Sequence, residues 1–416
     1  MNLLAVFIAL IFFYSLVSGR LERTILTAPI LFTAAGLMVS FFLPELRERQ
    51  GGLDLLLRVA EIGLVLLLFS DASRIDLRVL QNVRSLPVRL LSQGMLLTMV
   101  LGALGALIVF RQLSIWEAGI LAAILAPTDA GLGQIIVNSP RVPLKIRQAL
   151  NVEAGLNDGL SVPFLLFFIA LAGGAAEGGH SSLIRFIVEQ LGYGTLVGVS
   201  IGLLGGWLLG LAHKRKWLAH SWQQLGVVAL PILCLVACEP IGASMFIAAF
   251  VGGLVAQVGF KDAARHSVEF TEEWGQLFNL SVFFLFGILV ARAWPDFTLA
   301  HALYAILSLT IIRMGPVALA LAGTRLSRAT VLFMGWFGPR GLASIVLGLV
   351  YLEKQLHQPG EATIALAVMM TVLLSVFAHG VSALPGMEIY AQRLKALPAD
   401  APELEDSEGE ASPRIQ

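Results

Sequence analysis

Apolar runs of about 20 residues recur along the chain from Leu3 to Pro385, and a run of that length can cross the hydrocarbon core of a bilayer as a helix. Only 13% of the 416 residues are charged and 57% are hydrophobic, whereas a soluble domain carries roughly 25% charged residues. The mean hydropathy is +0.82. A soluble globule is excluded. The formal net charge is zero, so no overall basic field exists to draw in nucleic acid. The 41 glycines suit helices that approach closely in lipid. The expected fold is therefore an all-α polytopic membrane protein.

The runs divide into thirteen expected spans, at about 3–18, 26–44, 53–71, 87–110, 114–137, 145–172, 184–212, 221–238, 243–260, 275–294, 299–322, 329–351 and 361–385. The first run has no basic residue ahead of it and no clear small-residue cleavage site, so it reads as a span rather than a signal peptide. With the N-terminus outside, the loops assigned to the cytoplasm hold 18 Lys and Arg and the opposite loops hold 6. That bias is the positive-inside pattern, and it puts the C-terminus in the cytoplasm. Residues 1–390 form one expected transmembrane domain. The acidic, Pro-containing tail from 391 to 416 reads as disordered.

A charge at mid-bilayer costs about 2.5–3.5 kcal/mol on insertion scales, so it must be paired, solvated or neutralised. Several such residues lie deep in these spans. Ala126-Pro127-Thr128-Asp129-Ala130-Gly131 falls in the middle of the fifth. Pro127 removes a backbone N–H and clashes with the preceding turn. A break of that kind survives in lipid only where it lines a cavity or is buried in protein. Its free carbonyls and Asp129 can bind a cation. The sixth span carries Glu153, Asn157, Asp158 and Ser161. Glu153 and Asn157 share one helix face, and Asp158 and Ser161 share the next, so the two acids need different partners.

Arg313 in the eleventh span and Arg340 in the twelfth are available as partners. Arg340 stands in Phe337-Gly338-Pro339-Arg340-Gly341, a second Gly/Pro break. Breaks in spans five and twelve fit inverted repeats of six helices, about 1–172 and 221–388, with a linker helix at about 184–212 and the broken helices crossing at the midplane. Paired broken helices of this kind point to a transporter site. Asp71, at the end of the third span, either reaches that site from the cytoplasmic side or lies at the interface. Glu61 is expected to pair locally with Arg58. His379 reads as a packed, satisfied histidine, and Cys234 and Cys238 as buried thiols.

Together, the Thr128-Asp129 break, Glu153…Asn157-Asp158-Gly159, Gly338-Pro339-Arg340-Gly341 and His379-Gly380…Ala383-Leu384-Pro385 resemble NhaP-type sodium/proton antiporters, relatives of the animal exchangers. The resemblance runs to about residue 390. It implies no enzyme activity and no cofactor. It implies a homodimer in the cell (inner) membrane, each protomer with a dimerisation domain and a mobile core that moves like an elevator. Asp158 and Asp129 would bind the transported Na⁺, helped by Thr128 and by an acid of the third span, here Asp71. Asn157 would steady the broken helices, and Glu153 would pair with an arginine, Arg313 first. Family members are expected to carry a hydroxyl four residues before the aspartate. Ala154 stands there instead, leaving Ser161 or water to substitute.

The implied mechanism is competition. Burial and a neighbouring negative charge disfavour ionised Asp158, so a proton and a cation compete for it. The expected activity is electroneutral exchange of one proton for one Na⁺, with Li⁺ also accepted, serving pH and sodium homeostasis. A K⁺/H⁺ antiporter of the same fold is the alternative. An intramembrane aspartyl protease would use two membrane aspartates as an acid dyad, but the usual Gly-x-Gly-Asp setting is absent.

Overall fold

The computed structural model describes residues 3–21, 24–42, 52–74, 85–177, 188–259, 264–353, 358–398 and 401–404. Among them there is no strand. Among the described residues eight helices are long and apolar enough to cross a membrane, and four shorter apolar helices accompany them.

In chain order the helices are α1 (Leu3–Leu21), α2 (Ala28–Phe42), α3 (Gly52–Ser73) and α4 (Leu86–Val109). Then come the two halves α5a (Ile115–Ile124) and α5b (Ala130–Val137), followed by α6 (Leu144–Glu177), α7 (Val188–Lys214), α8 (His220–Cys238), α9 (Met245–Ala256) and α10 (Ala264–Ala293). The last are α11 (Leu299–Ala320), α12a (Arg328–Trp336), α12b (Leu342–Glu353) and α13 (Glu361–Leu394).

The helices sort into two bundles. In the first, α10 packs on α2 and α3, α9 on α3, α7 and α8, and α8 on α10. Phe7 of α1 joins it through Phe32 and Phe284. In the second, α5a packs on α4 and α6, α11 on α4 and α13, and α12b on α13. The bundles meet where α3, α9 and α10 face α6 and α12b.

Small residues set how close these helices come. Gly198, Gly202 and Gly206 recur every four residues on α7, so they share one face. A Cβ on any of them would strike the backbone of Ala248, Gly252 or Ala256 on α9. Without a hydrophobic drive between helices in lipid, such backbone approach supplies the packing.

The two broken helices begin on designed caps. Ser114 starts α5a with a capping box: its Oγ accepts from Glu117 N–H at 3.2 Å, and Glu117 Oε2 accepts from Ser114 N–H at 2.8 Å. Glu117 Oε1 also accepts from Gly360 N–H at 2.7 Å, joining α5a to the start of α13.

The tail expected to be disordered from Ala391 is ordered in part. α13 runs on to Leu394, and within 401–404 both Ala401 and Glu403 are buried. Polar contacts hold this piece: Lys145 Nζ donates to Pro402 O at 2.8 Å, and Glu403 Oε1 accepts from Ser327 N–H at 3.1 Å and Thr330 Oγ1 at 2.8 Å. Composition signals disorder through a shortage of apolar area, and it does not register an acid that meets a helix N-terminus. Residues 405–416 lie outside the described part.

Candidate functional site

The chain is extended between α5a and α5b because Pro127 has no N–H to continue the helix, and Pro339 does the same between α12a and α12b. The two extended stretches lie against each other: Asp129 N–H donates to Pro339 O at 2.7 Å. Each break leaves two helix ends with unpaired backbone groups and partial charge. Two buried charged side chains meet those ends.

Asp129 serves the two N-termini. Its Oδ1 accepts from Leu132 N–H at 2.9 Å, capping α5b, and its Oδ2 accepts from Leu342 N–H at 2.6 Å, at the start of α12b. A Cβ at Gly341 would overlap that carboxylate. Arg340 serves the end of α5a, donating from Nη1 to the carbonyls of Ala126 and Pro127. Its own N–H donates to Ser375 Oγ at 2.6 Å, and Ser344 Oγ donates to Ile124 O at 2.8 Å. Asn157 Nδ2 donates to Thr128 Oγ1 at 2.7 Å, fastening α6 to the break.

Glu153 faces elsewhere. It makes a two-point ion pair with Arg313, Nη1 to Oε1 at 2.6 Å and Nη2 to Oε2 at 2.9 Å, with both side chains 3% exposed. His379 is buried and bonded on both ring nitrogens, with Ser375 Oγ 3.1 Å from Nδ1 and Trp336 O 2.9 Å from Nε2. Ser375 O also lies 3.0 Å from Nδ1, so each ring nitrogen faces a backbone carbonyl. Cys234 and Cys238 are free and buried. Arg58 reaches Glu61 at 3.5 Å.

Asp158 is different from all of these. Its Oδ1 is buried and has no hydrogen-bond partner. It faces a cavity of about 380 Å³ between the two bundles, which Asp71 and Asp129 also line. Asp71 therefore reaches the site; its Cβ lies 3.4 Å from where a Cβ on Gly155 would stand. A cavity lined by the carboxylates of Asp71, Asp129, Asp158 and Glu272, with Asp158 Oδ1 buried and unbonded, can take a proton or a small cation.

Ser161 is not where a substitute ligand is needed. Its Oγ donates to Asp158 O at 2.8 Å, back along its own helix, and it does not line this cavity. A serine in mid-helix finds the carbonyl of the preceding turn ready as an acceptor. Ala154 lines a smaller cavity of about 20 Å³ behind the break, with Thr128 and Glu153.

Sequence reasoning missed the contribution of α10. Glu272, Gln276 and Asn279 line the cavity, and Glu272 forms an ion pair with Arg74 beside it. Their spacing of four and then three residues would have marked a polar stripe. The expected span began at 275, and Glu272 fell outside it.

A family model described as "Sodium/hydrogen exchanger, transmembrane" matches residues 6–387. The chain belongs to the sodium/hydrogen exchanger family. Members of this family are transporters, not enzymes. This exchanger-family chain is 27% identical over 304 residues to a Na⁺/H⁺ antiporter of Schizosaccharomyces pombe, covering 67% of this chain and 62% of that protein. It is 25% identical over 280 residues to the K⁺/H⁺ antiporter NhaP2 of Shewanella sp. strain MR-4, covering 64% of this chain and 46% of that protein. The chain thus spans less than two thirds of the length of these relatives. The solved structure of the sodium proton antiporter MjNhaP1 from Methanocaldococcus jannaschii at pH 8 has the same fold, with a TM-score of 0.77 at 19% identity, over 94% of this chain and 98% of that one.

Proposed function

We propose that this exchanger is a secondary antiporter that trades protons for a monovalent cation, Na⁺ first and Li⁺ with it, one for one and without net charge movement. The unpartnered Asp158 carboxylate, set in a cavity with Asp129 and Asp71, carries this reading. Asp129 has both oxygens engaged by backbone N–H groups, so it supplies fixed negative charge more than a mobile proton. Asp158 is the group that a proton or a cation neutralises. Loaded with either, the site is cheap to move; empty, it carries a bare carboxylate across an apolar barrier. Exchange is obligatory for that reason. Asn157, standing where a second acid would add charge, supports the one-to-one ratio.

The chain is read as thirteen spans, because each expected apolar run coincides with one helix or with an end-to-end pair. Residues 1–172 and 221–388 are the inverted repeats, and the second bundle, α4–α6 with α11–α13, is the moving core. The position of the cavity between the bundles supports elevator-type access. Arg74, Asn138 and Gln148 line the cavity, and the charge bias assigns those helix ends to the cytoplasm, so this is an inward-facing state. The protein is placed in the cell (inner) membrane as a homodimer, serving pH and sodium homeostasis, with Thr128 supplying a backbone ligand.

The Shewanella relative favours a second reading, K⁺/H⁺ exchange by the same machinery. Both are tested in proteoliposomes holding a pH gradient. Sodium or lithium addition is expected to collapse the gradient, and a response to potassium alone selects the second reading. Asp158→Asn is expected to abolish exchange of every cation while the protein still purifies as a folded oligomer. Exchange at the parent's rate in that variant would rule the site assignment out.

A further inference from the structure

The cavity is short of a neutral oxygen. A monovalent cation such as Na⁺ is a hard ion that takes oxygen donors, and the three aspartates alone, with Glu272 held by Arg74, would over-compensate its single charge. The hydroxyl expected at position 154 is absent, Ala154 does not border this cavity, and the Ser161 hydroxyl is spent on Asp158 O. Among the described residues two neutral side-chain oxygens at the cavity wall are buried with nothing bonded to them, Oε1 of Gln148 and Oδ1 of Asn279, and of these Asn279, 7% exposed on α10, has its amide beside Asp129.

Its position is specific. Asp129 Oδ1 lies 3.1 Å, and the Asn279 amide nitrogen 3.2 Å, from the same point, the place a Cβ would occupy on Gly131. Gly131, having no side chain, lets the amide of one bundle come down beside the carboxylate of the other. Rotation about the Cβ–Cγ bond exchanges the amide oxygen and nitrogen at that point. Buried polar groups are normally satisfied, so an amide whose oxygen is unbonded, and which can turn that oxygen toward the Asp129 carboxylate, marks a ligand position.

We infer that Asn279 is a cation ligand and a determinant of cation affinity, contributed to the Asp129–Asp158 site by the other bundle. Being neutral, it tightens the shell without altering the charge count of the exchange. Belonging to α10, it stays behind when the core bundle moves, so it contributes to binding from the cytoplasmic side and not from the opposite one. This rests on the antiporter reading above.

The test uses the full-length protein reconstituted in one orientation, with cation KM and maximal rate measured from each side for Na⁺, Li⁺ and K⁺. Asn279→Leu keeps the volume and removes the oxygen. It is expected to raise the cytoplasmic KM for Na⁺ about tenfold, equal to ~1.4 kcal/mol, with the maximal rate and the KM from the opposite side nearly unchanged. Asn279→Thr restores a neutral oxygen and is expected to bring KM back toward the parent's. A cytoplasmic KM for Asn279→Leu equal to the parent's, or a fall in maximal rate alone, overturns the assignment. Sodium-dependent thermal stabilisation of the detergent-solubilised protein reads binding without transport, and the midpoint is expected to move to higher sodium in Asn279→Leu. An unmoved midpoint overturns the proposal. Should Asn279→Leu fail to fold, Asn279→Ala, which also lacks the oxygen, carries the same comparison. A parent that exchanges none of the three cations sinks the antiporter reading instead, and the binding midpoint still decides Asn279.

Discussion

Glu153 and Asp158 stand five positions apart on one helix and do opposite work. Glu153 is closed off by two short bonds to Arg313, both partners 3% exposed. Removing one member of such a pair leaves the other charge buried and alone, at a cost of about 3–5 kcal/mol. Glu153→Ala is therefore expected to lower the thermal unfolding temperature sharply, read by fluorescence-monitored melting. Glu153→Leu together with Arg313→Met should recover much of that loss, because neither charge is then left unpaired. Gly338 contributes to the pair by omission: a Cβ there would overlap the Arg313 guanidinium. Asp158 has an unbonded buried oxygen and a cavity before it, so its loss should cost transport rather than folding.

The breaks in α5 and α12 show what a helix end requires. Four ends meet inside the protein, and Asp129 and Arg340 supply charge opposite in sign to the partial charge of the ends they face. A buried cap of this sort explains why a proline is tolerated at each break: the carbonyls and N–H groups it frees find side chains. The N-terminus of α12a is met by the piece of tail at 401–404. Burial pushes the Glu403 carboxyl up, but bonds from Ser327 and Thr330 overcome that and leave it below its ordinary value of 4.5. A lowered carboxylate value means that docking is fully supported above the ordinary range and weakens as pH falls through the lowered one. Protection of the 401–404 amides from hydrogen exchange, taken relative to the intrinsic rate at each pH, is expected to be high at neutral pH and lost in acid below that range. Glu403→Gln should give fast exchange already at neutral pH. Slow exchange in that variant would show that Lys145 and the burial of Ala401 suffice.

At the scale of the molecule, the site belongs to neither bundle alone. Asp71, Glu272 and Asn279 come from the first, and Thr128, Asp129, Asn157 and Asp158 from the second. An interface between two packed bundles is a surface along which one can slide while each core stays intact. If one proton leaves for each cation that enters, no net charge crosses. The exchange rate is then expected to be indifferent to an imposed membrane potential, measured with a potassium diffusion potential and valinomycin while sodium drives exchange. A rate that climbs with inside-negative potential would replace the one-to-one ratio by more than one proton per cation.

The apolar runs, the two Pro-marked breaks and the mid-run acids were legible in the sequence because hydrocarbon penalises every polar group locally, one residue at a time. The pattern of those penalties was enough to fix an all-helical membrane chain and to mark Asp129 and Asp158. Partnership was not legible. Arg313 lies 160 residues from Glu153, and Asp129 caps its own helix with one oxygen and meets with the other a helix start 213 residues away. Ser161 shares a helix face with Asp158 yet turns its hydroxyl back to its own backbone, and no motif singles out Asn279 within its span. Spacing along one helix fixes direction from the axis, but which neighbour waits in that direction depends on how the two bundles dock. That docking decided which of the buried polar groups are satisfied and which are left open to an ion.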